Sequence, residues 1–316
     1  MKAIQITGVH QYESIEVPVP EIKDDQVLVR IHLVATCPRW DLHMMGGKDM
    51  FIQNRQPDYP LPPGFPGHEA VGVVEAVGSS VQGFAPGDRV VALEHVSPGF
   101  GAYAQFMAYR ENDLLKLPDH ISDKRAVSSE LLKCVMYGLD QFDELQGKTL
   151  LVAGLGPAGI LAMQLASLWG AKVTAIDVNR ERVEYIKGLS LQGEAVHADD
   201  LGDRRFDLGY DCVGYSASVQ NVLDRTDEHV IIFGVLKGNI TYPESYWYKG
   251  TRLESYRYHP VTKRDRHLLL DALSNPAFNT ECLQTEELSF KEYKRGVELL
   301  KAQKAIKICF NVQEDF

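Results

Sequence analysis

Cys37, His68, Glu69 and Glu130 offer a thiol, an imidazole and two carboxylates, the donor types that hold a single zinc-like ion. A second group, Gly154-Leu155-Gly156-Pro157-Ala158-Gly159, has glycines at the spacing of a dinucleotide-binding turn. The first glycine permits the tight turn, the second lets backbone approach a pyrophosphate, and the third lets a helix pack on a strand. The helix that opens at Pro157 and Ala158 would offer its free N–H groups to the anion. Asp177 ends the next strand, 23 residues after Gly154, where an acid accepts bonds from ribose hydroxyls and repels the extra phosphate of NADP. NAD is therefore the expected cofactor. Arg180 and Arg182 lie just beyond and could soften that exclusion or simply face solvent. A metal beside a dinucleotide points to hydride transfer to or from a metal-held alcohol.

Taken singly, an apolar-flanked cysteine reads as packing and a lone histidine as a satisfied core or surface group. Here five prolines between 57 and 66 restrict the backbone just before His68 and Glu69, as a rigid ligand loop requires. The pattern of the glycines alone also fits an empty α/β turn. What favours a nucleotide is their place between an apolar strand and a helix.

The elements that must carry these residues fall into three stretches. Residues 26–35, 70–78 and 88–94 alternate apolar and polar side chains between Gly and Pro turns, which predicts strands. From 149 to 251 apolar strands (149–154, 172–177, 207–214, 229–235) alternate with helical runs at 157–169 and from 180, the signature of a doubly wound parallel sheet. After about 252 the pattern reverts, with a strand at 252–260, helices near 263–274 and 290–302, and a closing strand at 305–312. In the last helix Phe290, Tyr293, Val297 and Leu300 share one face, predicted to be core. The expected architecture is α/β, with a Rossmann cofactor domain (126–251) inserted into a β-rich catalytic domain built from 1–125 and 252–316.

A chain of 316 residues supports two such cores. A net charge of -10, from 33 basic and 43 acidic residues without long runs, argues against nucleic-acid or membrane-surface partners. Five scattered cysteines, an odd number, and a start without a basic, apolar leader point to a reducing cytoplasm.

The segments 66–90, 147–177 and 210–214 resemble the medium-chain zinc-dependent alcohol dehydrogenase family, and the likeness runs along essentially the whole chain. The resemblance implies a GroES-like catalytic domain in which Cys37, His68 and Glu69 are zinc-site residues, and an alcohol bound there gives hydride to the nicotinamide. It implies that Val213, within 210–214, borders the cofactor and that Arg182 helps to hold it. Glu130, 24 residues before Gly154, matches the polyol branch typified by sorbitol dehydrogenase, where simple alcohol dehydrogenases have a cysteine one position earlier, here Ser129. Tyr256-Arg257-Tyr258 resembles a segment whose Arg and Tyr contact polyol hydroxyls in that branch. Arg257 reads equally as an interdomain salt-bridge residue. Members of that family are commonly dimers or tetramers, so the resemblance implies a homodimer or homotetramer.

Two departures from the family pattern stand out. No four-cysteine lobe lies between 83 and 110, so one catalytic zinc and no structural zinc is expected. The family has Ser or Thr two residues after the cysteine and His five after, whereas here Arg39 or Trp40 takes the hydroxyl position and His43 stands six after. His43 is the expected proton carrier, with Asp41 as its orienting partner. Trp40, Tyr258 and Trp247 are candidates for the substrate wall. The substrate expected is a small alcohol or polyol. The competing readings are a zinc-free NADPH-dependent enone or quinone reductase of the same fold, which gives Cys37, His68 and Glu69 no reason to occur together, and a nucleotide-binding relative without turnover.

Overall fold

A computed structural model describes residues 1–52, 54–94 and 100–312. The chain divides into two compact units: Met1–Leu131, Val261–Ser274 and the residues from Thr280 on form the first, Leu132–Pro260 and Asn275–Asn279 the second.

The first unit is a β structure. Its seven-stranded sheet runs in the order Gln284–Ser289, Lys307–Asn311, Gln26–Ala35, Glu69–Val77, Arg89–Ala92, Leu114–Lys116, with Phe106–Arg110 paired to the far end of Gln26–Ala35. In Gln26–Ala35 buried and half-buried side chains alternate until the last three, which are all buried, as a strand requires when one face meets the core. That strand is central to the site. Its last residue, Ala35, pairs with Glu69 on one side and Cys309 on the other. Phe290, Tyr293, Val297 and Leu300 are buried in this unit's core, as their spacing predicts, beside Tyr103 and Phe310.

The second unit is a six-stranded parallel sheet in the order Glu194–His197, Lys172–Asp177, Thr149–Ala153, Phe206–Asp211, Thr226–Ile232, Arg252–Ser255. Helices Pro157–Leu168, Arg180–Gly188 and Ser216–Arg225 follow its strands. The parallel sheet thus extends past residue 251. Arg252–Ser255 pairs with Thr226–Ile232 instead of returning to the β-rich unit. The fold is a GroES-like β-rich domain combined with a parallel-sheet, Rossmann-like domain. No helix among the described residues is long and apolar enough to cross a membrane.

Candidate metal and dinucleotide sites

The sheet register brings the metal-type donors together. Cys37 follows the end of Gln26–Ala35 and stands at the N-cap of helix Pro38–Met45, with Pro38 in the first turn, where a missing N–H costs nothing. Glu69 opens the neighbouring strand opposite Ala35, and His68 precedes it. Donor atoms of Cys37, His68 and Glu69 lie within 4.8 Å of one another. Gly67 is needed at the entry to this turn, because a Cβ there would come within 2.6 Å of the Tyr103 amide nitrogen.

His68 Nδ1 lies 2.7 Å from the Pro66 carbonyl. In the neutral ring an N–H donated there puts the lone pair on Nε2, the arrangement of a metal-binding imidazole. Nε2 is 3.7 Å from Glu130 Oε2. Glu130 belongs to helix Ser129–Leu139, and its neighbour Ser129 is turned away, donating its hydroxyl to the Ala126 carbonyl. All four candidate ligands are thereby gathered in the β-rich unit.

Burial disfavours a charged His68, yet the Cys37 sulfur, Glu130 and Glu69 outweigh it and push the imidazole up to about 10. Burial also raises Glu69, opposed by Lys307 and His68. So much negative character around one histidine is a site short of positive charge. Glu69 Oε2 is buried without a hydrogen-bond partner, which is costly unless a further cation takes it. A thiol, an imidazole lone pair and an orphaned carboxylate oxygen fit zinc.

Lys307 is the residue that the sequence does not announce. It is wholly buried, as is Glu69. Its ammonium donates to Glu69 Oε1 and, at 2.7 Å, to the Thr36 carbonyl. The one available signal was a lysine inside the mostly apolar closing strand.

Around this centre, Trp40 lies with its ring 4.9 Å from that of His68 and edge-on to Phe51 and Phe65, so it walls the site. His43 Nδ1 bonds the Arg39 carbonyl at 2.7 Å, one turn back on its helix. Asp41 is not its orienting partner. The Asp41 carboxylate points inward, where Oδ1 accepts the Tyr103 hydroxyl at 2.8 Å, because on this helix positions 41 and 43 face different ways. Trp247 is three-quarters exposed on a short surface helix. Arg257 pairs with Glu254, three residues away in the same unit, while its amide bonds Gln141 at 2.8 Å. Tyr258 is exposed, with the Lys133 ammonium 5.7 Å over its ring.

In the parallel-sheet unit the glycine turn has the form its spacing predicts. Gly154 adopts a left-handed φ of +93° against Val213, whose side chain a Cβ at 154 would strike at 2.7 Å. A Cβ at Gly159 would sit 1.7 Å from the Gly154 carbonyl, whereas one at Gly156 would meet nothing within 4 Å. Gly156 thus leaves open space at the N-terminus of Pro157–Leu168, a cradle suited to a pyrophosphate. Asp177 closes its strand with Oδ2 accepting the Leu155 amide at 2.7 Å and Oδ1 the Asn179 amide at 2.8 Å. Arg182 lies 3.5 Å from Asp177 Oδ2, which joins the acid, the turn and the base in one cluster.

Residues 23–119 match the alcohol dehydrogenase GroES-like domain. The alcohol dehydrogenase of a Thermus species is 27% identical, with a TM-score of 0.83 over 99% of this chain and 100% of that one. The chain has the medium-chain, zinc-binding alcohol dehydrogenase-like fold. The same fold is found in galactitol-1-phosphate dehydrogenase from Escherichia coli, at 19% identity and a TM-score of 0.85 over 99% of this chain and 100% of that one. In sequence, L-threonine 3-dehydrogenase of Aeromonas salmonicida is 29% identical over 66% of this chain and 69% of its own length. No single branch of this fold family, the polyol branch included, stands out as nearest.

Proposed function

We propose that this protein is an NAD-dependent, zinc-dependent dehydrogenase that transfers hydride between a secondary alcohol, a polyol or sugar by class, and the nicotinamide. The reading is carried by one observation: donor atoms of Cys37, His68 and Glu69 lie within 4.8 Å of one another, and Glu69 keeps one buried oxygen, Oε2, without a partner. Cys37 and His68 would hold the ion, with Glu69 and Glu130 completing its shell. When bound, zinc supplies Lewis acidity that lowers the pKa of a substrate hydroxyl toward neutrality.

The chain's own residues do the rest. Trp40 covers His68 and keeps bulk water from the donors. His43 carries the alcohol proton outward, its ring oriented by the Arg39 carbonyl. The turn at Gly154–Gly159, lined by Val213, seats the pyrophosphate, and Asp177 selects the unphosphorylated ribose, with Arg182 at its side. Tyr258 and Arg257 contact substrate hydroxyls, which requires Arg257 to exchange Glu254 for substrate. Among similar proteins, one is named for threonine carbon 3 and another for galactitol-1-phosphate, an internal alcohol carbon and a sugar alcohol. The five free thiols suit the cytoplasm, and a homodimer or homotetramer is the assembly proposed.

The test is elemental analysis of the purified protein together with a panel of sugar alcohols, aldoses and hydroxy amino acids assayed by NADH absorbance. About one zinc per chain and turnover of a secondary alcohol are expected. Metal-free protein that reduces enones with NADPH would replace this reading with that of a zinc-free reductase.

A further inference from the structure

A fully buried lysine is expensive, and an apolar side chain of similar length would fill the same space at lower cost. Lys307 has no exposure, and its ammonium is held between the Thr36 carbonyl and Glu69 Oε1. The Glu69 carboxylate is thereby divided. One oxygen rests on a cation belonging to the chain, and the other, Oε2, is buried without a partner. Charge counting gives the division a purpose. Cys37 as thiolate with Glu69 and Glu130 carries three negative charges, which a dication and Lys307 together neutralise. Without Lys307 the loaded site would keep a net negative charge, and the metal-free site would leave Glu69 with His68 as its one remaining cationic neighbour.

The geometry points to Lys307 as a built-in counter-ion, a positioning residue that keeps Glu69 in place before metal arrives and weakens the grip on the ion once it is bound. This rests on the metal reading above. Two cations share one carboxylate, so each reduces what Glu69 gives the other. A preformed, moderately held ion suits a catalytic centre that must exchange ligands at an open position.

Lys307→Met separates this role from packing. With the lysine gone, metal becomes the main counter-charge for Glu69. The metal-free variant should melt lower than wild type, and zinc should bind at least tenfold more tightly and raise the melting temperature by a larger increment. Lys307→Arg should behave as wild type. The experiment strips the full chain with chelator, titrates ZnCl2 against a chromophoric competitor and records melting at each step. A lysine that only packs would lower melting equally with and without zinc and leave zinc affinity unchanged, and that result overturns the inference. Wild type that binds no zinc overturns the metal reading and the inference with it. Should Lys307→Met fail to fold, Lys307→Gln, which keeps a donor for the Thr36 carbonyl and removes the charge, takes its place. Tighter zinc binding in Lys307→Gln than in wild type supports the inference, and unchanged binding overturns it.

Discussion

His68 Nε2 faces Glu130 Oε2 across 3.7 Å, with both side chains nearly buried. The gap is too long for a hydrogen bond. It is close to the separation of about 3.4 Å expected for two ligands each about 2.1 Å from a tetrahedral zinc. With Nδ1 committed to the Pro66 carbonyl, Nε2 and Oε2 are left facing one shared position.

Cys37→Ser should therefore abolish zinc retention and turnover together while leaving the circular dichroism spectrum intact, since the strand and helix that flank Cys37 do not depend on its sulfur. Glu130→Gln should bind zinc about tenfold or more weakly, from the loss of a charged donor. Zinc content after gel filtration checks both. Full occupancy in Cys37→Ser would remove the thiolate from the ligand set.

Asp177 serves two partners at once. Its oxygens fix the amides of Leu155 and Asn179, so substitution by Gly would slacken the turn as well as remove the ribose acceptor. Asp177→Asn keeps one of the two acceptor oxygens and removes the charge. The KM for NAD should rise roughly tenfold, the worth of a charge-assisted bond of about 1.5 kcal/mol, and that for NADP should fall as Arg182, 3.5 Å away, is released toward the 2′-phosphate. An unchanged ratio of the two would count against the ribose role.

Asp41 should make the metal-free protein less stable as pH rises from mild acid to neutrality. Burial pushes its carboxyl from 3.8 up to about 6, against the opposing pull of the Tyr103 hydroxyl and His68. Since the folded value lies above the unfolded one, the stability supplied by protonated Asp41 is complete below 3.8 and is lost as pH rises through about 6. The loss is on the order of 3 kcal/mol, given 1.36 kcal/mol for each unit. Asp41→Asn keeps an acceptor for Tyr103 and does not ionise. Its melting temperature should exceed that of wild type at pH 7 and match it near pH 4, and a constant offset across that range would exclude Asp41 as the titrating group.

Much of this was legible because local pattern and physical cause coincide. Alternation marks Gln26–Ala35, and the glycines of 154–159 announce a turn in which Gly154 is left-handed and Gly159 packs against its carbonyl. Cys37, His68, Glu69 and Glu130 were singled out by donor type and by family resemblance, and the structure brings them close to His68. Lys307 was missed because its partner is set by a three-strand register in which Ala35 pairs with both Glu69 and Cys309, and no local pattern encodes that. Arg252–Ser255 was misassigned because RLES lacks the continuous apolar run of a buried parallel strand. It lies at the end of the sheet with half of its side chains exposed, where such a run is not required. The inward turn of Asp41 depends on Tyr103, distant in sequence and buried in the core.

The displaced histidine can be tested directly. His43 stands on helix Pro38–Met45 with Nδ1 bound to the Arg39 carbonyl, so a proton arriving at Nε2 would leave an imidazolium steadied by that carbonyl. His43→Gln keeps polarity and size but cannot cycle a proton. At pH 7 kcat should fall by about a hundredfold, the usual worth of a positioned acid or base, with little change in KM. The deficit should shrink above pH 9, as hydroxide in solvent takes over the proton. A loss of kcat that stays constant from pH 6 to 10 would mean that His43 shapes the site without relaying protons, and the route would then have to start from another group beside Trp40.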